Sequence, residues 1–178
     1  KKYYEELVNI EEKKLFTITI IGGSQGAKIF DNLVHQSLAK VSKSINIKVI
    51  HQTSESNKNF LMNFYNENRI EHQVFVFEKD LNKLLIKSDL CITRGGASSL
   101  AELSLLKVPF ISIPLPSAMD NHQYENAKFY EAQNACWIIN QKDFEKQNFE
   151  DLLLKIIKNK DEYLVKKKNL ENLNFQNT

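Results

Sequence analysis

Short apolar runs rich in Ile and Val alternate along this chain with longer amphipathic stretches, and that alternation limits the possible folds more than any other feature. The runs are Leu15–Ile21, Ile47–His51, Gln73–Phe77, Asp89–Thr93, Phe110–Pro114 and Cys136–Ile139. Each is four to seven residues long, as strands buried on both faces should be. Helical patterns fall near Gln25–Ser42, Ser56–Glu71, Leu81–Ser88, Ser98–Lys107 and His122–Gln133, with a last helical region from Phe144 to Leu170. Strand, helix, strand, repeated, predicts an α/β fold: a Rossmann-like parallel sheet with helices on both faces. Right-handed crossovers put every strand-to-helix loop on one edge of the sheet, and ligands of such folds bind at that edge.

The 178 residues amount to about one domain, enough to bury a real core. Net charge is +2, with lysines scattered among Glu and Asp, so nothing points to a nucleic-acid partner. No apolar run approaches the roughly 20 residues that span a bilayer. Cys91 and Cys136 are far apart in apolar stretches, without a Cys-x-x-Cys, and read as buried free thiols of a reducing cytoplasm. The chain opens at Lys1 in charged, helical sequence, which reads as part of a longer protein. Three regions are expected: an incoming segment over 1–14, a ligand-binding domain over 15–142, and a helical tail over 143–178. The tail is either a surface helix or packs on a further domain.

The first loop, Ile21-Gly22-Gly23-Ser24-Gln25-Gly26-Ala27, joins the first strand to the first helix. Glycines allow a tight turn and close approach to a ligand. Free N–H groups and the helix dipole favour an anion there, and the Ser24 hydroxyl can add a hydrogen bond to phosphate. A dinucleotide fingerprint is absent: its first glycine position holds Ile21, and the second strand ends in His51-Gln52-Thr53 rather than an acid. A P-loop is absent too, since Ala27-Lys28-Ile29 follows Gly26. The plainer alternative is a strand-to-helix turn with Ser24 as its N-cap.

A second loop, Arg94-Gly95-Gly96-Ala97-Ser98-Ser99-x-x-Glu102, repeats the device after the fourth strand. Two helix N-termini facing one crevice can grip a diphosphate from both sides. Glu102 can accept two hydrogen bonds from a ribose diol, or can close a capping box with Ser99. Arg94 can supply charge or anchor the loop. After the fifth strand, Asp120-Asn121-His122-Gln123 opens another helix. Asp120 or Asn121 can cap it, and His122 and Gln123 suit sugar hydroxyls. His122 as a general base is conceivable, and a capped helix with a solvated polar first turn is the plainer reading.

Taken together, Gly22–Ala27, Arg94–Glu102 and Asp120–Ala127 resemble the C-terminal domain of the MurG family of transferases over nearly the whole chain from Leu15. That family adds GlcNAc to undecaprenyl-diphosphate-linked MurNAc-pentapeptide (lipid I), making lipid II. The resemblance implies a two-domain GT-B fold of which this is the donor half, UDP-GlcNAc as donor, inversion at the anomeric carbon and no cofactor. It assigns the diphosphate to Gly22, Gly23, Ser24, Gln25 and Gly26. It assigns the phosphate and sugar pocket to Gly96, Ala97, Ser98 and Ser99, with Arg94 beside it. Glu102 would hold the ribose diol and Gln123 the GlcNAc hydroxyls, with His122 where some relatives carry Gln. Backbone groups at Phe77 and Glu78 fall where the family reads uracil.

No Asp-x-Asp occurs, so a metal-independent diphosphate site is expected. By the resemblance, the catalytic base, the lipid I acceptor site and the surface that sits on the inner face of the cell membrane belong to an N-terminal domain outside this chain. The fragment is therefore expected to bind UDP-GlcNAc without turning over. Two rivals share this donor-domain plan: a non-catalytic UDP-GlcNAc-binding subunit that needs a separate acceptor-domain partner, and a UDP-GlcNAc epimerase.

Overall fold

The computed structural model describes residues 15–116, 121–144 and 149–175; the side chains of residues 24–27, 174 and 175 lie outside that description. Six strands form one sheet: β1 (Phe16–Ile21), β2 (Ile47–Gln52), β3 (Glu71–Phe75), β4 (Leu90–Thr93), β5 (Phe110–Ser112) and β6 (Trp137–Ile138). Between and after them run α1 (Gly23–Val41), α2 (Glu55–Glu67), α3 (Leu81–Leu85), α4 (Ala97–Leu105), α5 (His122–Ala132), α6 (Gln141–Phe144), α7 (Phe149–Lys158) and α8 (Lys160–Phe175).

The strand order is β3-β2-β1-β4-β5-β6 and every neighbouring pair is parallel. The chain winds outward from β1 to β3, returns to β1's other side and winds outward again. The winding reverses between β1 and β4, which are paired from Ile18↔Leu90 to Ile21↔Thr93. A crevice opens at such a reversal, beyond the C-terminal ends of the strands.

Side chains of successive strand residues point to opposite faces, and the two cores follow that rule. Ile18 and Ile20, Leu90 and Ile92, Ile111 and Ile113 pack on one face with Phe30, Val34 and Leu38 of α1, Leu61 and Tyr65 of α2, and Phe149, Leu153 and Ile156 of α7. Ile21, Cys91 and Phe110 pack on the other with Leu85 of α3, Leu100 and Leu103 of α4, Ala127 of α5 and Leu170 of α8. Both cysteines are buried and free, and burial pushes each thiol far up.

Two expectations change. The third strand spans Glu71–Phe75, not Gln73–Phe77. It is an edge strand whose pairing ends at Gln52↔Phe75, where β2 itself ends, so Phe77 has no ladder to join and is 82% exposed. The tail is not one helical region but α6, α7 and α8. Asn159 separates the last two by capping α8: its Oδ1 accepts from the Glu162 N–H at 3.3 Å. In the structure α7 and α8 pack on this chain's own sheet, an arrangement outside both expectations for the tail. Leu170 is fully buried beside α4, and Lys166 lies over the Trp137 ring at 5.0 Å while donating to Asn134 Oδ1 at 2.8 Å. Among the described residues no helix is long and apolar enough to cross a membrane.

Candidate functional site

The two glycine turns straddle the reversal point. After β1, Gly22 takes the N-cap position of α1 without a side-chain cap, and Gly23 adopts φ +64°. That conformation is strained for any residue with a Cβ, which is why glycine stands there. Ser24 is therefore inside the helix and is not its N-cap. The backbone of α1 runs through Ser24, Gln25 and Gly26, whose side chains lie outside the described part. The first amides of a helix have no partner within it. Here no side-chain cap and no first-turn acid competes for them, so they are open to an anion.

After β4 the same arrangement recurs. Gly96 is the N-cap of α4 in extended conformation, again with no side-chain cap and no acid in the first turn. Ala97 and Ser98 are exposed and Ser99 is half-buried. Helix α4 starts at Ala97, so Ser99 is its third residue and the Ser99–Glu102 capping box does not form. Glu102 is half-buried, and its carboxylate has no hydrogen-bond partner among the described residues. It is available to a ligand.

Arg94 has the anchoring role of its two alternatives. Its guanidinium is turned inward: Nη1 donates to the Ile113 carbonyl at 3.0 Å and to Gln141 Oε1 at 2.9 Å, and the group lies over the Phe30 ring at 5.0 Å. Burial lowers its pKa. One cation thus joins the base of the β4–α4 loop to β5, α6 and α1.

The first turn of α5 sits directly on the second glycine loop. Gln123 Oε1 accepts from the Leu115 N–H at 2.9 Å and the Gly95 N–H at 3.3 Å, while Asn126 Nδ2 donates to the Gly95 carbonyl at 2.9 Å. A Cβ on Gly95 would stand 2.0 Å from the Gln123 carbonyl oxygen. Gln123 therefore spends its amide oxygen on the scaffold, and its amide N–H groups remain as donors at the crevice edge. His122 is exposed in the first turn of α5. Asn121 caps that helix in a left-handed conformation without a side-chain bond, and Asp120 lies outside the described residues. Phe77 and Glu78 lie beyond the end of β3, on the same edge; Glu78 Oε1 accepts from the Asp80 N–H at 3.0 Å.

A cavity of about 330 Å³ opens beside the crevice, walled by Pro114, Asn121, Tyr124, Gln141 and Lys142. Among the described residues no group of three or more His, Cys, Asp or Glu side chains is gathered to hold a metal ion. Sequence reasoning missed two features. Asn126 pins the second glycine loop; it stood within the Asp120–Ala127 motif without a role assigned to it. Asp31, His51, Thr53 and Asn57 form a buried polar knot behind the first loop, hinted at by the polar end of β2.

Comparison with known proteins places these features in context. The model of the glycosyltransferase family 28 C-terminal domain matches residues 17–177. Over 178 residues the chain is 42% identical to the UDP-N-acetylglucosamine--N-acetylmuramyl-(pentapeptide) pyrophosphoryl-undecaprenol N-acetylglucosamine transferase of Pelagibacter ubique (strain HTCC1062), covering 100% of this chain and 50% of that protein. It is 37% identical over 161 residues to the enzyme of the same name from Rickettsia massiliae (strain Mtu5), covering 89% and 43%. The chain spans about half the length of the curated relatives it matches. Among solved structures, Acinetobacter baumannii MurG superposes with a TM-score of 0.77 at 26% identity, over 94% of this chain and 48% of that one. Os79 from O. sativa, in complex with U2F and trichothecene, shares the fold at 11% identity, with a TM-score of 0.69 over 95% and 38%.

Proposed function

This chain belongs to the glycosyltransferase family 28 C-terminal domain family, and from that premise we propose that it is the UDP-GlcNAc-binding half of an inverting N-acetylglucosamine transferase. The acceptor is undecaprenyl-diphosphate-linked MurNAc-pentapeptide, at the cytoplasmic face of the membrane. The observation that carries the donor reading is the pair of glycine-built, uncapped helix N-termini on either side of the β1/β4 reversal. The relatives' names support the choice of sugar and acceptor.

In this reading the amides of Gly22–Gly26 and Gly96–Ser99 grip the diphosphate, helped by the Ser24, Ser98 and Ser99 hydroxyls. Glu102 receives the ribose diol. The backbone at Phe77 and Glu78 meets uracil, and His122 and the Gln123 amide N–H groups meet GlcNAc. Arg94 holds the second loop in shape. As the anomeric bond breaks, negative charge grows on the departing UDP, and preorganised N–H groups and helix dipoles stabilise charge where it develops. That device needs no metal. The base that takes the acceptor's proton, and the acceptor site, lie in the part of the transferase beyond this chain's span.

Calorimetry with UDP, UDP-GlcNAc, UDP-glucose and NAD in the presence of a chelator tests the reading. The expected order places UDP-GlcNAc and UDP ahead of UDP-glucose, with NAD not bound. Glu102→Ala should cost UDP roughly 1.5–3 kcal/mol of binding, the worth of hydrogen bonds to a charged group, with thermal stability intact. Preference for NAD, or no UDP binding at millimolar ligand, contradicts the donor assignment. GlcNAc transfer to a lipid I analogue by this chain alone contradicts placing the acceptor machinery elsewhere.

A further inference from the structure

Helix α1 carries the first glycine turn, so whatever fixes α1 along its axis fixes that turn. Its apolar stripe of Phe30, Val34, Leu38 and Val41 is fully buried on the sheet. That contact sets the helix's facing but is non-directional. Directional ties occur at two levels. Away from the ligand edge, Lys40 Nζ and Ser37 Oγ donate to Glu150 of α7 at 2.6 and 3.4 Å. Nearer that edge stands Asp31, only 2% exposed. Its Oδ2 accepts from Thr53 Oγ1 and Asn57 Nδ2, both at 2.8 Å. Its Oδ1 faces His51 Nε2 at 3.3 Å, and His51 Nδ1 lies 2.8 Å from the Tyr65 hydroxyl. A neutral ring with its proton on Nε2 suits both neighbours. His51 and Thr53 stand at the C-terminal end of β2, level with the glycine turn.

We infer that Asp31 is a positioning residue for the diphosphate grip: by tying α1 to the end of β2 and to α2, it fixes where the amides of the first glycine turn stand. The inference rests on the donor reading above. Several features favour it over space-filling. A carboxylate is costly to bury, yet two donors, Thr53 beyond the end of β2 and Asn57 of α2, converge on this one, with the His51 ring 3.3 Å away on its other oxygen. An amide of the same shape would turn N–H groups toward those donors. The charge also has the wrong sign for a neighbour of an anion site. Electrostatics alone would let Asp31→Asn bind UDP as well or better, whereas loss of positioning weakens it.

The test titrates this chain and its Asp31→Asn and Thr53→Val variants with UDP and with uridine, and follows hydrogen exchange without ligand. Thr53→Val keeps the charge and removes one donor, so it stands if Asp31→Asn folds poorly. In both variants UDP affinity should fall about tenfold, the scale of a hydrogen bond to a charged group. Uridine, which has no phosphate, should stay within about twofold, and exchange should rise over Ile29–Leu33 but not over Ser37–Val41. Unchanged or tighter UDP binding, equal losses for UDP and uridine, or exchange raised evenly along α1 overturns the inference. If the unaltered chain binds no UDP, the donor reading falls on its own, and the exchange pattern decides whether Asp31 holds the ligand end of α1.

Discussion

At the scale of single residues, Gly95 and Gly96 make a matched pair with opposite demands. A Cβ on Gly95 would collide with backbone of α5, while one on Gly96 would meet only Ser99 Oγ at 3.8 Å, an ordinary contact. Gly95→Ala should therefore push α5 off the loop and cost roughly 1–3 kcal/mol in urea unfolding. Gly96→Ala should cost less than about 0.5 kcal/mol. Equal stabilities for the two would mean that α5 does not rest on Gly95. Protons report on another set of residues. Burial pushes His51 and His35 below their ordinary 6.5, against the pull of Asp31. Burial works to raise Asp31, but its contacts with His51, Asn57 and Thr53 outweigh it and hold the carboxyl below 3.8. For all three the folded value lies below the unfolded one, so as pH falls the unfolded chain takes up the proton first. The histidine contribution is complete above pH 6.5 and is lost below it; the Asp31 contribution is complete above pH 3.8 and is lost below that. The unfolding free energy, and with it the urea midpoint, should thus drop between pH 7 and pH 5, the free energy by at most about 1.4 kcal/mol per pH unit for each histidine. A flat midpoint over that range would mean the histidines are not buried in neutral form.

At the scale of elements, the last helix makes the clearest demand. Leu170 of α8 is fully buried against the second face, so Leu170→Ala should cost about 2–5 kcal/mol. A loss under about 0.5 kcal/mol would mean that α8 lies off the sheet in solution. The elements themselves were largely legible in the sequence, because hydrophobic period is a local signal: β1, β2, α4 and α5 begin or end within two residues of where their patterns do. What escaped depends on distant partners. The end of β3 is set by the length of β2. The break at Asn159 is the exception, since its signal is local: Asn159 stands three residues before Glu162 within the polar run 158–162. Ser99-x-x-Glu102 has the spacing of a capping box, but Gly96 already supplies the N-cap. The site divides the same way. Glycines and hydroxyls at helix starts show in sequence because their role is local. Whether a side chain faces ligand or scaffold does not, because Arg94 is claimed by Ile113 and Gln141, and Gln123 by Gly95 and Leu115.

At the scale of the molecule, the winding order brings together two turns about 70 residues apart in the chain and leaves a crevice between them. Neither turn alone specifies more than an anion. Together, in the proposed reading, they form a two-sided diphosphate clamp, with Arg94 behind one turn and the Asp31 knot behind the other. The most direct test is to follow every backbone amide by NMR while UDP is added in the presence of a chelator. The clamp predicts that the largest shifts fall on residues 22–26 and 95–99, with a second group at Phe77 and Glu78. Shifts centred instead on the neighbouring cavity around Asn140–Asp143, or none at millimolar UDP, would contradict it.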